Sequence, residues 1–120
     1  MILGVGIDII EVDRIKKAYE RWGRDFLNRV FTESEIDYCL RKRNPHPSLA
    51  ARFAAKEAGF KAFSQSGIRI SSWRDLWVEN DPEGRPTLRA KAKGQARIHL
   101  SLSHTKGSSI ALVIVEEGER

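Results

Sequence analysis

Three side chains combine a reactive type with a place where folding alone would not be expected to put them. Asp8 interrupts the apolar run from Met1 to Ile10. A carboxylate left unpaired in an apolar strand is costly, so Asp8 has to be protonated, paired, hydrogen-bonded or bound to a cation. Glu57 falls in Arg52-Phe-Ala-Ala-Lys-Glu-Ala-Gly-Phe-Lys-Ala-Phe63, at the edge of what reads as a buried stripe. His104 stands where an alternating strand pattern gives way to a turn. Two carboxylates on different elements suit a hard cation such as Mg²⁺, whose shell is completed by water and by phosphate oxygens of a substrate. The Lys and Arg residues around them would contact those phosphates.

The Glu57 stretch reads as a helix over 48–64. It is Ala-rich, has no β-branched residue, and repeats Leu49, Phe53, Phe60 and Phe63 at helical intervals. At about 100° per residue Lys56 falls inside the Phe53/Phe60 stripe, with Glu57 roughly 40° beyond it. Lys61 follows Glu57 by four and can share its face. The ordinary alternative is that Lys56 snorkels and Glu57–Lys61 is a surface pair worth ~0.5 kcal/mol.

The other elements follow in order. Residues 2–10 read as a strand apolar on both faces, with Asp8 the exception. A helix is expected from Asp13, as N-cap, to about Trp22, with Ile15, Ala18, Tyr19 and Trp22 inward. From Arg14 to Arg29 six basic residues face two acidic ones, which favours a docking surface over a merely solvated face. Thr32-Glu-Ser-Glu35 has the form of a capping box opening a short helix, and Asn44-Pro-His-Pro47 is a breaker before the long one. Strands are expected at Asp75–Glu79 and Thr87–Ala90 around an Asp81-Pro-Glu-Gly84 turn, with a short basic helix at Lys91–Arg97. Ile98–Ser103 alternates strictly, Thr105-Lys-Gly107 turns, and Ile110–Val115 is a second doubly apolar strand.

At 120 residues the chain fits one domain, and its single cysteine, Cys39, rules out an internal disulfide framework. Asp8 and the lack of a basic leader argue against a signal peptide, and no apolar run approaches a membrane span. The expectation is a soluble cytoplasmic protein without a membrane partner. The formal charge of +5 favours an acidic partner or substrate without choosing among nucleic acid, anionic protein and phosphorylated cofactor.

Four motifs in order resemble those of the small single-domain 4′-phosphopantetheinyl transferases, the holo-acyl carrier protein synthase class. They are Gly4-Val-Gly-Ile-Asp8 followed by Arg14, Arg52-Phe-Ala-Ala-Lys-Glu-Ala58 with Lys61-Ala62, Asp81-Pro-Glu-Gly-Arg-Pro86, and Ser101-Leu-Ser-His-Thr-Lys106 before an apolar strand. The resemblance covers nearly the whole chain, 1–120, as one domain. It implies an α+β fold in which a mainly antiparallel sheet packs against one long helix and shorter ones. The implied reaction, a step serving fatty acid biosynthesis, moves 4′-phosphopantetheine from coenzyme A to a serine of acyl carrier protein and releases adenosine 3′,5′-bisphosphate. By the same resemblance Asp8 and Glu57 hold Mg²⁺, and Glu57 or a water that it orients takes the serine proton. Lys61 holds the pyrophosphate, while Arg52, Gly84, Pro86, His104 and Thr105 face coenzyme A. Arg14, Arg21, Arg24, Phe26 and Arg29 match the family's dock for the acidic carrier protein.

Three departures stand out: Gly59 inside the key helix, Ser64-Gln-Ser-Gly67 in place of a Gly-Thr-Gly-like loop, and Gly107-Ser-Ser before the last strand. The two doubly apolar strands have only one long helix to cover them. Closing their second face between subunits would bury it, and the resemblance sets the number at three, with His104 reaching a neighbour's Asp8 and Glu57. A nucleic-acid-binding module is the competing reading, on the charge and on Trp22, Trp73 and Trp77 as stacking groups. Those tryptophans do not interleave with the basic cluster, and that reading leaves Asp8 and Glu57 unexplained, so no nucleic-acid partner is expected. A metal-dependent phosphohydrolase would share the carboxylates without needing a basic protein dock.

Overall fold

The computed structural model describes residues 1–92 and 94–118. Strand β1 (Ile2–Glu11) leads into helices α1 (Val12–Trp22), α2 (Arg24–Val30), α3 (Glu33–Leu40) and the long α4 (His46–Ser66). A 3-10 turn at Trp73–Asp75 then opens the hairpin β2 (Leu76–Asn80) and β3 (Pro86–Ala90). The chain ends in β4 (Ala96–His104) and β5 (Ser108–Glu117). An antiparallel sheet of order β1-β5-β4 and the separate β2-β3 hairpin flank α4, giving an α+β fold. No helix among the described residues is long and apolar enough to cross a membrane.

Helix α4 lies on β1 almost backbone to backbone. A Cβ placed on Gly6 would stand 1.9 Å from the Ala58 carbonyl oxygen, and one on Gly4 would stand 1.9 Å from that of Ala62. Only glycine on the strand allows this approach, and on the helix side Ala54, Ala55, Ala58 and Ala62 are fully buried. Gly59 has a comparable reason on the opposite side. A Cβ there would press to 3.0 Å on Leu76 and Leu88, so the helix gives up about 1 kcal/mol of propensity to seat the hairpin.

Lys56 does not snorkel; it is fully buried. Its Nζ donates to the carbonyls of Val30 at 2.9 Å, Trp73 at 3.2 Å and Leu76 at 2.6 Å, and stands 2.7 Å from Glu35 Oε1. Glu35 forms the expected capping box with Thr32, and its Oε2 also accepts the Val78 N–H at 2.9 Å. Burial lowers the Lys56 pKa and Glu35 opposes that shift. Phe53 and Phe60, the neighbours of Lys56 on the stripe, close on Trp73 at 5.2 and 5.1 Å.

Several expectations need correction. β1 is not buried on both faces: Gly4, Gly6 and Ile10 point inward, whereas Ile2, Val5, Ile7 and Ile9 are exposed. The apolar run is continuous because the outer face is apolar, not because this chain covers it. Helix α1 begins at Val12 with Glu11 as N-cap, and Asp13 instead pairs with Lys17 at 3.0 Å one turn on. Trp22 is 58% exposed rather than inward, because the helix ends at Gly23 before the core reaches that far. Asp75 belongs to the 3-10 turn, not to β2. Residues 91, 92, 94 and 95 form no helix and β4 begins at Ala96; Lys93, within that expected helix, lies outside the described residues. The alternation of Ile98–Ser103 holds, with Ile98, Leu100 and Leu102 half-buried against exposed His99, Ser101 and Ser103.

Lys56→Met should lower the stability measured by urea unfolding by about 3–5 kcal/mol, since it strands Glu35 and three carbonyls. Adding Glu35→Leu should recover part of the loss, because the lone buried carboxylate is then gone.

Candidate active site

Asp8 points to the inner face of the sheet, following Gly4 and Gly6 in the alternation, so it arrives beside the α4 backbone. Its side chain is 16% exposed. Lys61 Nζ lies 3.3 Å from Asp8 Oδ1 and donates to the Ile7 carbonyl at 3.0 Å. The ordinary alternative, a surface pair of Lys61 with Glu57, does not form; the ammonium is turned to β1 instead. Glu57 is left with a carboxyl held above the usual carboxylate range, first by burial and next by the Asp8 charge, with Lys61 and Arg14 opposing. Asp8, Glu57, Lys61 and Arg14 therefore share one electrostatic neighbourhood, built from β1, α4 and α1. A shallow cavity opens beside it, lined by Ile7, Asp8, Ile9, Lys61 and Ile110.

Two half-buried carboxylates that repel each other form a donor set of oxygens only, and among the described residues no three acidic, His or Cys side chains are placed together to hold a metal ion. That set fits a hard divalent ion which keeps most of its shell for water and substrate oxygens.

The remaining candidates are dispersed in the single chain. His104 is the exposed last residue of β4 and pairs with Ser109 of β5, which in turn neighbours Ile10 of β1. It is thus two strands from Asp8, about 10 Å across the sheet, out of contact range within one subunit. Thr105 donates its N–H to the Ser108 carbonyl at 2.9 Å and closes the β4–β5 turn. Gly84, at φ 83°, and Pro86 belong to the β2–β3 turn, where Asp81 Oδ1 accepts the N–H groups of Glu83 and Arg85. Arg52 is buried on the side of α4 away from Glu57, with its guanidinium 4.1 Å over the Tyr38 ring.

The basic segment forms a surface of its own on α1 and α2. Arg14, Arg21, Arg24 and Arg29 are exposed, and Phe26 is half-buried with its ring edge-on to Phe31. Trp22, with the Arg21 guanidinium 4.8 Å from its ring centre, joins Asp25, Phe26 and Arg29 in lining a pocket. Its spacing from Ile15 suggested core; the following Gly23 was the signal that the helix stops there. Trp73 is packed between Phe53 and Phe60 and Trp77 donates to Glu79 Oε1 at 2.8 Å, so the three tryptophans form no common stacking surface. Two contacts have no signal in the local sequence, the pairing of Glu35 with Lys56 and that of Gln65 with β1. The capping box already accounted for Glu35, and nothing local marks Gln65, which hydrogen-bonds the main chain of Val5.

The chain is similar to known proteins over nearly its whole length. A holo-(acyl-carrier-protein) synthase of Chloroherpeton thalassium is 49% identical over 116 residues, spanning 93% of this chain and 96% of that one. The crystal structure of a holo-(acyl-carrier-protein) synthase from Bacillus anthracis in complex with CoA (3′,5′-ADP) superposes with a TM-score of 0.84 at 36% identity, covering 98% of this chain and 99% of that chain. The corresponding Neisseria meningitidis synthase gives 0.85 at 30% identity, covering 98% and 100%. The model of the 4′-phosphopantetheinyl transferase superfamily matches residues 4–115, from the first glycine packed on α4 to the end of the β5 core, and the chain belongs to that superfamily.

Proposed function

We propose that the protein, acting as one cytoplasmic domain, transfers the 4′-phosphopantetheine group of coenzyme A to a serine of apo-acyl carrier protein and releases adenosine 3′,5′-bisphosphate. The observation that carries this reading is the meeting of Asp8 and Glu57, coupled by their charges, with Lys61 and Arg14 beside them. Asp8 and Glu57 would hold Mg²⁺, which supplies neutralisation of the charge that develops on the leaving phosphate. Lys61 stands where its ammonium can leave Asp8 for a pyrophosphate oxygen. Glu57, its carboxyl held above the usual carboxylate range by burial and then by the Asp8 charge, or a water that it orients, is suited to accept the serine proton. Arg52, Gly84, Pro86, His104 and Thr105 contact coenzyme A. The basic face of Arg14, Arg21, Arg24 and Arg29, with Trp22 and Phe26 as apolar anchors, receives the acidic carrier.

The active form is a homotrimer. Support comes from the outer sheet face, where Ile2, Ile7 and Ile9 are 59%, 61% and 63% exposed and Val5 and Leu112 join them. Such a patch is rarely left open in a monomer. The separation of His104 from Asp8 within one chain also suits a site shared between neighbours. Incubating the protein with coenzyme A, Mg²⁺ and apo-carrier should add one phosphopantetheine group to the carrier by mass spectrometry. Coenzyme A consumed without any carrier would mark a hydrolase instead.

Glu57→Gln should abolish turnover yet raise the melting temperature of the metal-free protein at neutral pH. The sign follows from the raised carboxyl: its contribution to stability is full below the unfolded-state pKa and is lost as pH rises through the higher folded value. Removing the charge removes that loss, so the melting gain should vanish in acid.

Charge reversal at Arg21 or Arg24 should raise the Michaelis constant for the carrier and flatten its salt dependence, with that for coenzyme A nearly unchanged. The opposite pattern would assign these residues to the coenzyme.

Asp8→Asn and His104→Ala proteins, each impaired, should regain activity when unfolded together and reassembled, but not when mixed as folded proteins. Light scattering that gives a monomer, or mixed trimers without rescue, would reject the shared site.

A further inference from the structure

Strand β1 pairs with β5 along one edge, and among the described strands none pairs with its other edge. That open edge is closed by α4 side chains. Gln65 accepts the Val5 N–H through Oε1 at 3.0 Å and donates through Nε2 to the Val5 carbonyl at 2.9 Å, as a neighbouring strand would. Lys61 donates to the Ile7 carbonyl at 3.0 Å. The next residue in the same helical row is Glu57. Four residues of helix advance about 6 Å, and two residues of strand about 6.8 Å. Successive row positions on α4 therefore keep step with alternate residues of β1, and Glu57 comes level with the segment that carries Asp8.

We propose that Gln65 is a positioning residue: by clamping both main-chain groups of Val5 it fixes the register of β1 along α4, and so the placing of Asp8 against Glu57. The close packing of Gly4 and Gly6 sets how near strand and helix approach but leaves sliding along the helix axis less constrained. Directional hydrogen bonds at Val5 oppose that sliding. Lys61 cannot serve alone, because a lysine that turns to the substrate pyrophosphate releases the Ile7 carbonyl at the moment when the geometry matters. The amide of Gln65 carries no charge for a phosphate to attract and stays in place. This inference rests on Asp8 and Glu57 acting as the metal ligands.

The test replaces Gln65 by Met, which keeps length and loses both hydrogen bonds, with Gln65→Ala as the second variant should the first fail to fold. Hydrogen exchange at the Val5 amide should accelerate about tenfold or more in a protein whose melting temperature changes by only a few degrees. The Mg²⁺ concentration for half-maximal transfer should rise about tenfold, with the Michaelis constant for coenzyme A at saturating metal much less affected. An unchanged Val5 exchange rate overturns the clamp. Faster exchange with an unchanged Mg²⁺ requirement overturns the positioning role. A wild-type protein indifferent to Mg²⁺ overturns the metal reading, and the positioning role with it, while the Val5 exchange result stands as a separate observation.

Discussion

A buried ammonium determines how the pieces of this fold meet. Lys56 draws the end of α2, the start of α3, the 3-10 turn and the start of β2 onto one atom of α4. None of those segments is long, and α2 and α3 have 7 and 8 residues, too few to be stable helices by themselves. A hydrophobic side chain at position 56 could fill the volume but could not satisfy three inward-facing carbonyls and a carboxylate. The ion pair therefore does more than stabilise. It selects one arrangement of short elements around the helix, because alternative packings would leave charged or polar groups buried without partners.

The opposite flank of α4 is fixed by the reverse means, the absence of side chains. Glycines on β1 and alanines on α4 bring two backbones together, so the carboxylate of Asp8 is carried on a strand that lies directly against the helix of Glu57. Held by Lys56 on one side and by glycine packing on the other, α4 has little freedom to rotate. Two carboxylates drawn from elements far apart in sequence keep a fixed separation only while those elements stay rigid against each other.

Much of the architecture is legible in the sequence. Periodicity marked the long helix, the alternation of β4 and the apolar strands, because each is a local pattern with a local cause. Asp8 and Glu57 were legible as anomalies, a charge in an apolar run and a charge beside a buried stripe. The features that escaped are non-local. Lys56 looked like a snorkelling side chain because its partners lie in four other segments, and Glu35 already had a sufficient local explanation in its cap. β1 looked doubly buried because sequence records that a face is apolar, not whether the same chain covers it. Lys91–Arg97 looked helical from its composition, yet Ala96 and Arg97 are taken up by pairing with Glu117 and Glu116. Tertiary pairing there overrides a weak local preference.

Lys56 and Glu57 are neighbours in sequence and opposites in electrostatic circumstance. The first is fully buried and has a partner for each of its protons; the second is only partly buried and faces another carboxylate without a bonded cation of its own. Burial depth alone would make Lys56 the more unusual residue, but its surroundings are complete and leave nothing for a ligand to do. The unbalanced charge lies one residue later, where burial and then the Asp8 charge raise the proton affinity of Glu57 while Lys61 bonds the strand. Positive charge placed between the two carboxylates would relieve the repulsion that Asp8 exerts on Glu57. The satisfied pair supplies the rigidity that keeps the unsatisfied one from relaxing, and the two roles can sit side by side because a helix turns adjacent residues about 100° apart, one into the core and one to the site.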